Sequence, residues 1–209
     1  VSYKPVNAGI FNLYLYDEIE SAEQFIPAIE ALDAAGDNDI FRIYLSTPGG
    51  SLDATDTFLD AVRKTQARVV TFASGGVHSA GTVILLNSDE FFLSDNFNAL
   101  IHNGGCGSGG KYSDFKAHAQ HNVKYMETVL RETYEGFLTD VEIDALIEGK
   151  DFWMDASEFG ERFERRNEFL GTRAAVMQAL EDVAAEAKES TFQPKPRKAK
   201  KVVAQVEQG

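Results

Sequence analysis

The chain has 209 residues, 44% hydrophobic and 25% charged, the composition of an ordinary globular domain with a core of its own. Its net charge of −13 is spread unevenly: residues 191–209 carry five basic side chains against Glu207, while residues 1–190 carry 15 basic against 32 acidic ones, a net of −17. Such a body repels nucleic acid, no apolar run reaches the roughly 18 to 20 residues of a membrane span, and the single cysteine, Cys106, leaves no internal disulfide.

With no basic-then-apolar leader at the N-terminus, these features lead to the expectation of a cytoplasmic protein in a reducing compartment. Three segments are expected: a short N-terminal piece (1–10), one domain (11–190) and a Lys- and Pro-rich tail (191–209) that lacks the apolar residues to fold.

In chain order, residues 11–19 alternate apolar and polar side chains and predict a strand. Ser21 and Gln24 form a capping-box pattern for a helix carrying Phe25, Ile26, Ile29 and Leu32 on one face, with a bend expected at Pro27. Residues 40–46 predict a second strand, "TPGGS" a turn, and Leu52, Thr55, Leu59 and Val62 the stripe of a helix. The strand "ARVVTFAS", the apolar helix after Ser79, and the short strands "EFFLS" and "NALIH" follow. This alternation indicates an α/β protein with largely parallel strands. A long amphipathic helix is expected over 113–137, with Phe115, Val123, Met126, Leu130 and Phe137 along its stripe. Short helices capped by Thr139 with Glu142 and by Asp155 with Glu158, and a last helix over 171–188, complete the chain.

The chemistry gathers at "ASGGVHSAGTVILLNS". Ser79 opens an apolar helix, where it either caps the first turn or acts as a nucleophile. A nucleophilic serine needs a base and oxyanion donors; the free first-turn N–H of Ala80 and the positive end of the helix dipole meet the second need halfway. The G-x-S-x-G elbow is absent, since Val77 stands at its first glycine. His78 is adjacent to Ser79 and badly aimed, His118 and His121 fit a solvated helix face, and His102 ends a strand before a glycine-rich loop. "GGCGSGGK" lacks Ser or Thr after Lys111, so it is not a phosphate-binding loop, and no motif supplies a base for Cys106.

Four segments carry a resemblance together. "IYLSTPGGSLDA", "GGVHSAGTVILL", "ALIHNGG" and "GKDFWMDASEFG", in that order, resemble the Clp protease proteolytic subunit family and its phage head maturation relatives. The resemblance implies a ClpP/crotonase-like α/β superhelix of β-β-α units with a protruding handle helix. It implies a serine endopeptidase with Ser79 as nucleophile, His102 as general base and Asp151 as the residue orienting the imidazole. It assigns the oxyanion hole to the backbone N–H groups of Gly50 and Ala80, and pairing with an extended polypeptide substrate to Gly104 and Gly105. A homo-oligomer of stacked rings and no cofactor or metal are implied as well. His78 replaces a small family residue, which predicts a narrowed or polar acyl pocket. The short segment before the first strand bears on partnership with a Clp-type ATPase rather than on the catalytic residues. An acyl-CoA hydratase or isomerase on the related fold would leave Ser79 and His102 without a role, and an inactive structural ring subunit would leave the whole triad without one.

Overall fold

Alternating burial along one strand shows how the sheet forms. In Ile40–Thr47 (β2) the side chains of Phe41, Ile43, Leu45 and Thr47 are buried while those between them face outward. The structure, a computed structural model, describes residues 8–105 and 111–191. β2 lies between Ile10–Leu15 (β1) and Arg68–His78 (β3), both parallel to it. Glu90–Leu93 (β4) and Asn98–Ile101 (β5) both pair in parallel with β3, at different heights. Phe152–Asp155 (β6) closes this end of the sheet, antiparallel to β5. The expected α/β fold with largely parallel strands is what the chain adopts.

Helices link the parallel strands. Gln24 accepts the backbone N–H groups of Glu20 and Ser21, and Ala22–Phe25 forms a 3-10 turn. Pro27 does not bend a longer helix; it sits in the first turn of Ile26–Ala34 (α1), where its missing N–H costs nothing. Leu52–Lys64 (α2) is capped by Ser51, whose Oγ accepts the Ala54 N–H at 3.2 Å, and it buries Phe58, Leu59 and Val62. Phe25 stacks on Phe58 at 4.6 Å, joining the 3-10 turn to α2. Ala80–Leu86 (α3) is short and almost wholly buried.

Tyr112–Tyr134 (α4) is the long helix expected, but its stripe differs from expectation. Leu130 and Tyr134 are buried in this chain's own core, as is Phe137 just beyond the helix, while Val123 is 69% exposed and Met126 is half-buried. The Phe115 side chain lies outside the described residues. Asp140–Ile147 (α5) carries the expected capping box, with the Glu142 N–H donating to Thr139 Oγ1 and the Thr139 N–H donating to Glu142. β6 was not anticipated: its four residues sit between two helix signals and are too few to show a period. Asp155 caps the next helix as expected, accepting the Glu158 N–H at 2.9 Å. That helix, Ala156–Thr191 (α6), runs on through Gly160 and Gly171, so the two helices expected over this stretch are one.

The chain divides into two units, Val1–Asn167 and Glu168–Gly209. The first holds the sheet and the core, where Phe159 meets Phe97 and Phe137 at 5.4 and 4.8 Å. In the second, the described residues are helical, and Phe169, Val176, Met177 and Leu180 are exposed. The basic tail, the first seven residues and Cys106 lie outside the described residues. On the sheet face away from the core, Tyr14, Tyr44, Phe72 and Phe92 stand in register on four neighbouring strands and stack at 4.9, 5.3 and 5.2 Å. No helix among the described residues is long and apolar enough to cross a membrane.

Candidate active site

Ser79 joins β3 to α3 in a conformation that side chains avoid. Its φ of 52° and ψ of −123° make it the only non-glycine residue with positive φ among those described. Its N–H donates to the Leu100 carbonyl at 2.8 Å, and its own carbonyl accepts the Thr82 N–H at 2.9 Å and the Thr82 hydroxyl at 2.7 Å. The Ser79 side chain makes no capping hydrogen bond, so the plain N-cap explanation fails. Its backbone is tied down while its hydroxyl stays uncommitted.

The Pro-Gly-Gly turn after β2 is packed against this elbow. Gly49 has φ 93°, and a Cβ there would lie 2.6 Å from both the His78 carbonyl and the Ser79 Cβ. Gly50 has φ 139°, and a Cβ there would collide with the Ile19 carbonyl. Both positions therefore require glycine. Thr47 holds the turn, donating to the Asp17 carbonyl at 2.6 Å and accepting the Gly49 N–H at 3.1 Å. Ile19 takes its bonds from Gly49 and Ser51, which leaves the Gly50 N–H turned away from it. Neither that N–H nor the Ala80 N–H has a partner among the described residues.

His102 follows β5 and is half-buried; its Nδ1 accepts the Gly104 N–H at 3.3 Å. Asn103 Nδ2 donates to the Ile147 carbonyl at 3.3 Å, tying the end of β5 to the end of α5. Asp151 is exposed, and neither it nor the Ser79 hydroxyl is hydrogen-bonded to His102 here. The β5–β6 register explains why Asp151 is nonetheless close. Ile101 pairs with Phe152, so one step beyond the ladder Asp151 stands opposite His102. Lys150 is drawn aside over the Phe152 ring, 4.8 Å from its centroid.

An open cleft of about 590 Å³ collects most of these groups: Gly50, Ser79, His102, Asn103, Gly104 and Gly105 line it from the sheet side, and Tyr125, Met126 and Leu130 from α4. A recess beside Ser79 and His102 is walled by Leu52, Val83, Met126 and Leu130. Asp53 and Glu127 stand at the cleft, and burial together with Asp56 and Asp53 pushes the Tyr125 phenol up. Asp151 does not line the cleft in this conformation.

His78 is not at the cleft. Its Nε2 pairs with Asn98 Oδ1 at 2.9 Å and its ring meets the edge of Trp153 at 5.4 Å. The expectation that His78 narrows an acyl pocket is therefore wrong, because strand alternation turns its side chain to the far face. His121 stacks on Tyr125 along the exposed side of α4, in keeping with a solvated face. Asn103, Thr82 and the α4 residues of the cleft were not singled out beforehand; only Asn103, beside His102 in "ALIHNGG", carried a signal that could have marked it.

A serine on a strained strand-to-helix elbow, a histidine in the same cleft and a glycine turn with a free N–H define the site of a hydrolase that works through a serine nucleophile. The Clp protease family profile matches residues 8–161, and the chain belongs to that family. Over 162 residues, 74% of this chain, it is 28% identical to the ATP-dependent Clp protease proteolytic subunit 3 of Rhizobium meliloti (strain 1021), covering 83% of that protein. It is 30% identical over 148 residues to the ATP-dependent Clp protease proteolytic subunit of Streptococcus sanguinis (strain SK36), covering 68% of this chain and 74% of that one.

Proposed function

We propose that this chain is a serine endopeptidase that cleaves extended polypeptides. The observation that carries the reading is the Ser79 elbow pressed against the Gly49–Gly50 turn, with the N–H groups of Gly50 and Ala80 unpaired on either side of it. Ser79 Oγ attacks the scissile carbonyl while His102 takes its proton. The carbonyl oxygen, now carrying the negative charge, is held by the Gly50 and Ala80 N–H groups. Return of the proton to the leaving amine gives an acyl-enzyme, which water hydrolyses with His102 again as base. Asp151 acts by holding Nδ1–H, so it must take the place at Nδ1 that the Gly104 N–H fills in this structure. A substrate strand pairing with Gly104 and Gly105 would draw that N–H away. The recess walled by Leu52, Val83, Met126 and Leu130 suits an apolar substrate side chain.

Membership of the Clp protease family supports assembly into homo-oligomeric rings, with the exposed Val123 and half-buried Met126 of α4 as surface for a second copy. Short peptides, which need no unfolding, are the substrates for a direct test. A fluorophosphonate probe should label Ser79, as read by peptide mapping, with labelling lost in Ser79→Ala and strongly reduced in His102→Ala. Peptidase activity should fall toward acid pH as the His102 imidazole takes up a proton and stops acting as a base. A folded, assembled protein unlabelled at Ser79 would favour a structural ring subunit.

A further inference from the structure

A buried chain of hydrogen bonds ends on the Ser79 carbonyl, and no step of the proposed reaction uses it. Thr82 and Tyr134 are 0% and 2% exposed, and their oxygens lie 2.7 Å apart. Thr82 Oγ1 spends its one hydrogen on the Ser79 carbonyl at 2.7 Å, so Tyr134 must be the donor to Thr82. Burial, only partly offset by the bond to Thr82, pushes the Tyr134 phenol up to about 12, and it keeps its proton over any working pH. The order is therefore fixed: Tyr134 O–H to Thr82 Oγ1, then Thr82 O–H to the Ser79 carbonyl. The Thr82 N–H supplies a second bond to the same carbonyl at 2.9 Å.

We infer that Thr82 and Tyr134 are positioning residues that set the direction of the Ala80 N–H as an oxyanion donor, an inference that rests on the peptidase reading of the cleft. The Ser79–Ala80 peptide is planar and trans, so the Ser79 C=O and the Ala80 N–H point in opposite directions on one rigid plate. Holding the oxygen in the core aims the N–H the other way, beside Ser79. Such a hold is needed because Ser79 is strained at φ 52°, and rotating this plate would relieve strain while turning the donor away. Hydrogen bonds in series polarise one another in a dry interior, which strengthens the grip. The location fits: Thr82 is the polar residue inside an otherwise apolar α3, and Tyr134 comes from the last turn of α4.

The test compares Thr82→Val, Thr82→Ser and Tyr134→Phe with the unmodified assembled protein. Two measurements are made on each: peptide hydrolysis, and the affinity of a peptide boronate, whose boron bonds to Ser79 Oγ and places an oxygen where the oxyanion forms. Thr82→Val should lower kcat about tenfold with KM nearly unchanged, less than outright loss of a donor, and weaken the boronate in parallel. Thr82→Ser, which keeps the hydroxyl, should restore both to within about twofold. Should Thr82→Val fail to assemble, Tyr134→Phe carries the test, with a parallel loss of about threefold or more in kcat and boronate affinity expected. An active protein whose Thr82→Val or Tyr134→Phe variant keeps both values, or whose Thr82→Ser is as impaired as Thr82→Val, overturns the inference alone. An unmodified protein that neither labels at Ser79 nor binds the boronate removes the peptidase reading beneath it.

Discussion

Replacing Ser79 by glycine and by alanine should give two inactive proteins of different stability. Both substitutions remove the hydroxyl; only glycine also removes the Cβ that makes φ 52° costly. A side chain held in a sparsely populated region costs about 1–3 kcal/mol. Glycine gives back about 0.4–1 kcal/mol through the greater freedom of its unfolded chain. The Ser79 side chain packs against Gly49 and little else, so its loss subtracts only a small contact term. The difference leaves Ser79→Gly more stable than Ser79→Ala by about 1 kcal/mol, or about 2–4 °C in Tm for a domain of this size. Thermal unfolding of the two variants at matched protein concentration measures it, since any assembly makes Tm depend on concentration. A Ser79→Gly protein no more stable than Ser79→Ala would mean that the elbow stores no strain, and the case for a specially held serine would lose its physical basis.

Acid should loosen the contact between α5 and α6. Arg162 grips the Glu142 carboxylate at 2.9 and 3.0 Å, and these bonds, with Thr139, hold its pKa at about 2 against an ordinary 4.5. Its folded pKa lies below its unfolded one, so the pair contributes fully above about pH 4.5 and its contribution is lost as pH falls toward 2. Discounted for partial exposure, that is about 1–2 kcal/mol, and Glu142→Gln should flatten the fall in urea midpoint between pH 5 and 2; an unaltered slope would contradict the assignment. On α4, Val123→Glu should dissociate the assembly in native mass spectrometry while circular dichroism stays native, because Val123 is 69% exposed. Leu130→Glu should unfold the subunit instead, since Leu130 is 5% exposed and a buried carboxylate costs several kcal/mol; the reverse pattern would mean that the two faces of α4 are wrongly assigned.

The strands β1 to β5 were legible because each half-buried strand alternates, and the Ser21 and Thr139 signals were legible because capping is local chemistry. The α4 stripe was read as one surface, but a helical period says which residues share a face and not what covers it. Leu130 and Tyr134 turned out to meet this chain's own core. β6 escaped because its pairing partner lies some fifty residues earlier. Ser79, His102 and Gly50 were found through motifs of adjacent residues. Their proximity could not be read, and neither could the chain from Tyr134 to Thr82, which spans 52 residues and has no local signature. His78 shows the limit of adjacency, since one step along β3 places it on the opposite face from the cleft.

The order of strands in the sheet also bears on when the protein becomes dangerous to its maker. The Ser79 N–H is anchored by Leu100 on β5, and Asp151 is brought opposite His102 only when β6 adds antiparallel to that strand. A ribosome adding about 5–20 residues per second takes about 4–15 s to travel from Ser79 to the end of β6. During that interval the nucleophile exists as sequence but not as a site. Dispersing the candidate machinery over a hundred residues makes each nascent chain inert until its domain is nearly complete, a delay that comes from topology and needs no inhibitory segment to remove.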